Sequence, residues 1–315
     1  MLKYLVIQLS EDAISYCHFD NQNSDSTLIP LNELQNAILF GMKENLNIQF
    51  VYPKQSMPTE YNEVIESIDH TKIMPCNAPQ VRDAHIIVCN SIAEAESCEL
   101  SEGQIVILRI CRKDIGELPR IFDILNGKCA RINIVITDID KFTDCEFEAY
   151  KAILTQLGDT VKTSILGGSN TQFNLLSDRL VLKAMNNCNA GDEVITLMPN
   201  GKFYPCAGFY YDDAEEDFGN LTQGVQIKNR QLFKFGYAPI CRHCDAYHCR
   251  RCAWLNRKTT LEVNTPSHEQ CVVAHLERNE SGRILADIRT EYDYEPEISI
   301  PEIDYLDPFV KRKEW

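Results

Sequence analysis

Through the first half of the chain, short apolar runs alternate with stretches in which apolar residues recur every three or four positions. Residues 4–9, 48–52, 85–89, 105–110 and 132–138 are rich in Val and Ile, as strands covered on both faces are. Between them, Leu31, Leu34, Ile38 and Met42 share one helical face, and Tyr61, Val64, Ile65 and Ile68 repeat the spacing after Pro58-Thr59. Ile115, Leu118, Phe122 and Leu125 do so again. Phe147, Tyr150, Leu154 and Leu157 follow Thr143-Asp144-Cys145-Glu146, a capping box whose hydroxyl and carboxylate satisfy amides at the start of a helix. The alternation predicts βαβ units and a mainly parallel sheet, an α/β domain over residues 1–165. Periodicity leaves open whether that sheet is flat or curls into a partial barrel. No glycine-rich phosphate loop follows any strand, and Gly167-Gly168 reads as a turn in a linker over residues 166–187.

The pattern then gives way to cysteine. Residues 241–252 read CRHCDAYHCRRC, two CxxC knuckles four residues apart, and Cys188, Cys206 and Cys271 flank them. Seven of the fourteen cysteines therefore crowd into roughly a quarter of the chain, which points to metal ligation. Disulfides would need an oxidising compartment, and MLKYLVIQLS has too short an apolar stretch for a secretory signal, so a cytoplasmic protein is expected. One structural zinc would engage four thiols, Cys241, Cys244, Cys249 and Cys252, and leave three unexplained; two iron–sulfur clusters can use all seven. Asn200-Gly201 between Val194-Ile195-Thr196-Leu197 and Lys202-Phe203-Tyr204 predicts a hairpin with a type I′ turn, which would bring Cys206 back beside Cys188. Residues 210–219, YYDDAEEDFG, read as solvated acidic surface, and Ala253-Trp254-Leu255 as a hydrophobic lid over the metal site. His243 and His248 are the histidines nearest the ligands in sequence. Residues 286–315 form an acidic, proline-bearing tail whose alternating apolar residues favour docking over disorder.

Composition narrows the partners. A net charge of -15 argues against nucleic acid, because phosphate binding needs clustered Lys and Arg. No apolar run approaches the roughly 20 residues a membrane span requires. Arg242, Arg250 and Arg251, set among the ligands, either offset thiolate charge or are solvated loop residues.

The arrangement of Cys188, twelve residues, Gly201, four residues, Cys206, two knuckles and a final Cys271 resembles the SPASM domain of radical S-adenosylmethionine (SAM) enzymes that modify ribosomally made peptides. SDRLVLKAMNNCNAG, MPNGKFYPC, APICRHCDAYHCRRCAWLNRK and NTPSHEQCVVAHLERN look like the maturases of CXXX-repeat peptides, over about a third of the chain. The resemblance implies a partial (β/α) barrel-like N-terminal domain and a small Cys-rich SPASM-like domain over residues 188–285. It also implies two auxiliary [4Fe-4S] clusters, with Cys188, Cys206 and Cys252 serving the first and Cys241, Cys244, Cys249 and Cys271 the second. The family's usual knuckle spacing is five and three residues, whereas here it is four and two. That difference leaves open whether Cys249 and Cys252 join Cys241 and Cys244 at one centre. The first cluster has no evident fourth ligand.

The family's SAM-binding CxxxCxxC is missing. Aligned on Cys17, the other two positions hold Ser10 and Ile14, and Tyr52-Pro53-Lys54-Gln55 stands where a Gly-Gly-Glu-Pro-like turn would contact the cofactor. The N-terminal half thus reads as a degenerate radical SAM core, and SAM cleavage is not expected of it. Cys17 and His18 are remnants, a new site, or a half-buried cysteine beside a strand end. Cys76, Cys89, Cys98, Cys111, Cys129 and Cys145 lack ligand spacing and read as core or surface residues. Two functions follow. One is an iron–sulfur protein of peptide maturation that binds or helps modify a Cys-repeat precursor peptide, alone or beside a second maturation protein. The other is a zinc-stabilised scaffold.

Overall fold

The computed structural model describes residues 1–291 and 299–300. Seven parallel strands each pair with the next in sequence: β1 (Tyr4–Gln8), β2 (Asn47–Val51), β3 (Thr71–Pro75), β4 (Ile86–Cys89), β5 (Ile105–Ile110), β6 (Arg131–Ile136) and β7 (Gln172–Phe173). Beyond β1 the sheet continues into β8 (Val194–Leu197), parallel to it, and β9 (Phe203–Tyr204), antiparallel to β8. Helices α1 (Leu31–Lys43), α2 (Thr59–Ile65), α3 (Ile92–Ser97), α4 (Leu118–Leu125) and α5 (Asp144–Leu166) cover the crossovers, while β3 reaches β4 through a short 3-10 turn. Sequential parallel order with helical crossovers is barrel winding. Among the described residues β7 and β9 remain separate edges, so the barrel is partial.

The two-residue period of the strands divides their side chains. Leu5, Ile7, Phe50, Ile87, Leu108 and Ile134 pack under the helices, whereas Val6, Val51, Ile73, Val88, Ile107 and Val135, one from each of the first six strands, line the opposite face. The capping box forms, with Thr143 N donating to Glu146 Oε2 at 2.8 Å.

Residues 166–187, expected as a linker, contribute β7 and α6 (Ser177–Val181), with Leu175, Leu176 and Leu180 buried. The expected hairpin is present, but its turn is not type I′: Gly201 has φ +75°, and Asn200 is not among the positive-φ residues. Gly201 N donates to Met198 O at 2.9 Å and Met198 N to Lys202 O at 3.1 Å, a turn over residues 198–201 followed by a glycine bulge. Pro199 explains this, since its ring fixes a negative φ inside the turn.

The Cys-rich segment adds α7 (Ala207–Asp212), α8 (Ala253–Thr260) and α9 (His268–Glu291). Helix α9 starts in that segment and lies along α5, so the boundary expected at residues 285–286 falls within a helix. Tyr150 Oη donates to Glu277 Oε1 at 2.7 Å, and His248 Nε2 stands 3.2 Å from Glu277 Oε2, all three residues buried. The docking expected of the acidic tail lies outside the described residues, save that Ile300 touches Gly282. No helix among the described residues is long and apolar enough to cross a membrane.

Tyr150→Phe removes the donor from a buried carboxylate while leaving the ring. It is expected to destabilise the protein by roughly 1–3 kcal/mol, read as a lower denaturant midpoint with unchanged slope. An unchanged midpoint would contradict this role for the α5–α9 contact.

Candidate metal centre

The loop after β1 passes over the mouth of the barrel. Ala13 and Ile14 settle on the inner-face bed of Val6, Val51, Ile73, Val88, Ile107 and Val135. Ser10 is fully buried and its hydroxyl donates to Asp12 at 2.6 Å. Two of the three positions aligned with CxxxCxxC are therefore occupied by an apolar plug and a hydroxyl already engaged. The third, Cys17, packs against Phe19, Met198, Tyr204 and Ala207. Arg109 at the end of β5 holds it there: Nε donates to Cys17 O at 2.9 Å, Nη2 to Phe19 O at 2.8 Å and Nη1 to Asn90 Oδ1 at 2.7 Å. Burial lowers the affinity of that guanidinium for its proton, so the three acceptors and nearby Asp20 matter to its charge.

On the Cys-rich side, Cys17 Sγ, a ring nitrogen of His18 and Cys252 Sγ lie within 4.8 Å of one another. His18 Nδ1 is 3.6 Å from Cys17 Sγ. Cys188 and Cys206 complete the neighbourhood. The charges felt by Cys252 include those of Cys17, Cys188 and Cys206, and the charges felt by Cys206 include those of Cys188 and Cys17. A hydrogen bond from the Cys252 thiol holds Cys17 well below the usual thiol range, with His18 acting in the same direction against burial. The same bond, then burial, pushes Cys252 well above it. Burial pushes Cys188 up to about 11, although as a residue it is exposed.

A second group forms around Cys249. Burial raises its thiol well above the usual range, and Cys271, Cys241 and Cys244 add to the rise. Cys249 thus feels the charges of Cys271, Cys241 and Cys244, and Cys252 those of Cys17, Cys188 and Cys206. The two cysteines sit in different local structure. Cys252 is the N-cap of α8 and its sulfur accepts from Leu255 N at 3.5 Å, whereas Cys249 N is drawn back to Ala246 O at 2.9 Å.

The donor set suits soft metal. Backbone amides of Ala246 and Leu255 point at Cys244 and Cys252 sulfurs, and amides of Gly208 and Phe209 do so at Cys206. Arg251 is buried, its Nε and Nη2 have no hydrogen-bond partner among the described residues, and its charge acts on Cys241 and Cys188. A buried guanidinium with idle N–H groups beside desolvated thiols fits an anionic, thiolate-held group. Arg250 reaches Asn133 on β6, while Arg242 is exposed, so two of the three arginines lie in the site. Asp245, beside Cys244, is gripped by Arg278 at 2.6 and 2.8 Å and by Arg179 at 3.1 Å.

Several residues take places the sequence did not announce. His275, one turn beyond Cys271 on α9, brings Nε2 to 3.5 Å from Cys244 Sγ, whereas His243 is exposed and His248 faces Glu277. Cys76, Cys89 and Cys98, expected as unconnected residues, meet at the ends of β3 and β4: Cys89 lies in hydrogen-bonding range of both others, and Cys76 Sγ is 3.4 Å from Glu94 Oε2. The stretch 210–219 is more than solvated surface. Tyr210 Oη donates to Glu11 at 2.8 Å, Asn21 Nδ2 donates to Tyr211 Oη at 2.8 Å, and Asp212 accepts from Trp254 Nε1 at 2.8 Å. Trp254 covers Gly208 and Phe19, where a Cβ on Gly208 would come within 2.8–2.9 Å of both. At the C-terminal ends of the strands a cleft of about 1070 Å³ opens, with His18, Lys54, Asn90, Arg109, Cys111 and Asp138 on its walls. His18 therefore stands between the cleft and the first thiol group.

Arg109→Met should free the loop without unfolding the sheet. Amides of residues 13–21 are expected to exchange with solvent at least about tenfold faster, the factor that one charge-assisted hydrogen bond of roughly 1.5 kcal/mol carries. Unaltered exchange in that loop would contradict the clamp.

No family model and no curated protein matches the chain. Among solved structures, the fold is similar to that of Streptococcus suis SuiB bound to precursor peptide SuiA, with a TM-score of 0.50 and 12% identity over 86% of this chain and 76% of that one. At this identity the likeness is one of fold.

Proposed function

We propose that this chain is an iron–sulfur protein of a ribosomal-peptide maturation pathway, one that binds or helps modify a Cys-repeat precursor peptide without cleaving SAM itself. The observation that supports the reading is the gathering of thiols: Cys17 and Cys252 lie within 4.8 Å of each other, Cys252 also feels the charges of Cys188 and Cys206, and Cys249 feels those of Cys241, Cys244 and Cys271. Clusters held there would supply one-electron transfer. The chain's own residues supply the rest: amides and Arg251 stabilise thiolate charge, and Trp254 and Phe19 keep water from the first group. The cleft at the strand ends is large enough for a peptide segment, and Lys54, Arg109 and Asp138 offer it charges of both signs. The likeness of fold to SuiB, a protein seen with a precursor peptide, supports a peptide as partner.

Ile14 and the bonded Ser10 support the absence of SAM chemistry, since Ile14 has no donor atom and the Ser10 hydroxyl, a poor substitute for a thiolate on iron, is engaged by Asp12. The zinc scaffold is the weaker reading, because it needs Cys249 and Cys252 on one ion. Fourteen free thiols suit a reducing compartment such as the cytoplasm.

Anaerobically purified protein is expected to bind a labelled Cys-repeat peptide saturably, and its Cys-to-Ser counterpart at least about tenfold more weakly. With SAM and dithionite it should release no 5′-deoxyadenosine. Release of that product, or indifference to the peptide, would overturn the proposal.

A further inference from the structure

The first thiol group has three members in the Cys-rich segment and a fourth from the other end of the chain. We infer that Cys17 is the fourth protein ligand of that centre, so that every ligand position is filled from within the chain and the barrel domain is tied to the Cys-rich segment through a metal–sulfur bond. The inference rests on the iron–sulfur reading above.

Three independent features place Cys17 there. Its sulfur and that of Cys252 fall within the 4.8 Å that also takes in His18, a separation suited to ligands of one centre. Cys188, Cys206 and Cys252 each feel the charge of Cys17, so it is close to all three and not to Cys252 alone. The backbone on either side is pinned: Arg109 grips the carbonyls of Cys17 and Phe19 from the barrel side, while Tyr210 and Tyr211 hold Glu11 and Asn21 from the Cys-rich side. A loop fixed from both domains delivers a thiol to a set position, whereas a mere surface cysteine needs no such support.

His18 is the competing ligand. Its Nδ1 already faces Cys17 Sγ at 3.6 Å and its ring lines the cleft, which assigns it as a hydrogen-bond partner of the Cys17 sulfur. A centre filled by four cysteines offers no iron to a peptide thiol. Precursor recognition then falls to the cleft, and the first centre is left with electron transfer and with locking the loop.

The test compares wild type, Cys17→Ala, Cys17→Ser and the exposed-residue control Cys145→Ser, all purified anaerobically. Iron and sulfide are counted, and Mössbauer and EPR spectra are recorded with and without a small free thiol. Wild type and the control should hold about eight irons, as two four-iron clusters require, with spectra indifferent to added thiol. Both Cys17 variants should keep the second centre, which reports that the chain has folded. They should either fall to about half the iron or show a first centre whose spectrum now responds to the thiol. Wild-type iron and spectra in both variants would overturn the inference while sparing the iron–sulfur reading, as would a thiol response in wild type. A Cys17–Cys252 disulfide in the anaerobic protein would also overturn it. Absence of iron from wild type would overturn both.

Discussion

Thiolates repel one another, and the second half of this chain gathers seven cysteines, Cys241, Cys252 and Cys271 buried and Cys206, Cys244 and Cys249 partly so. Everything around them answers that constraint. Amides from the first turns of α7 and α8 point at sulfur, Arg251 is buried with idle N–H groups, and Arg250 is held by Asn133 from β6. Without a cation the thiols resist ionisation, as the raised values of Cys188, Cys206, Cys249 and Cys252 record. A metal reverses that preference by supplying the missing positive charge. The folded protein therefore places its least favourable electrostatics where a metal would remove them.

The barrel takes part in the same arrangement. In its mouth, Ile14 rests on an apolar bed where the aligned family motif would place a thiol, while the next residues bring Cys17 to Cys252 of the Cys-rich segment. Arg109 serves both ends, clamping the loop on one side and lining the cleft on the other. Occupancy of the cleft and the position of Cys17 thus depend on one guanidinium, with His18 as the side chain that touches both regions.

Much of the fold was legible because strands buried on both faces announce themselves as Val- and Ile-rich runs, and helices by their apolar stripe. β3 escaped because TKIMP begins polar and ends in proline, and β7 because two residues make no pattern. The hairpin was legible from Asn200-Gly201, but Pro199 decided its turn. The ligand spacing leaves open whether Cys249 and Cys252 share one ion; Cys252 caps helix α8, which starts at Ala253, whereas Cys249 N donates to Ala246 O in the turn before it. His275 could have been found, since it lies four residues after Cys271 on one helix face. Cys17 could not, because only the folding of the whole barrel domain brings it to Cys252. The meeting of Cys76 and Cys89 likewise depends on the β3–β4 register, in which Pro75 pairs with Val88.

The proposed function requires two separate iron-bearing centres, one on either side of the second knuckle. Anomalous diffraction from anaerobically grown crystals at the iron edge tests it most directly. Two iron peaks are expected, one beside Cys188, Cys206 and Cys252 and one beside Cys241, Cys244, Cys249 and Cys271. A single peak at the zinc edge, with Cys249 and Cys252 drawn to the same ion and no iron signal, would contradict the account.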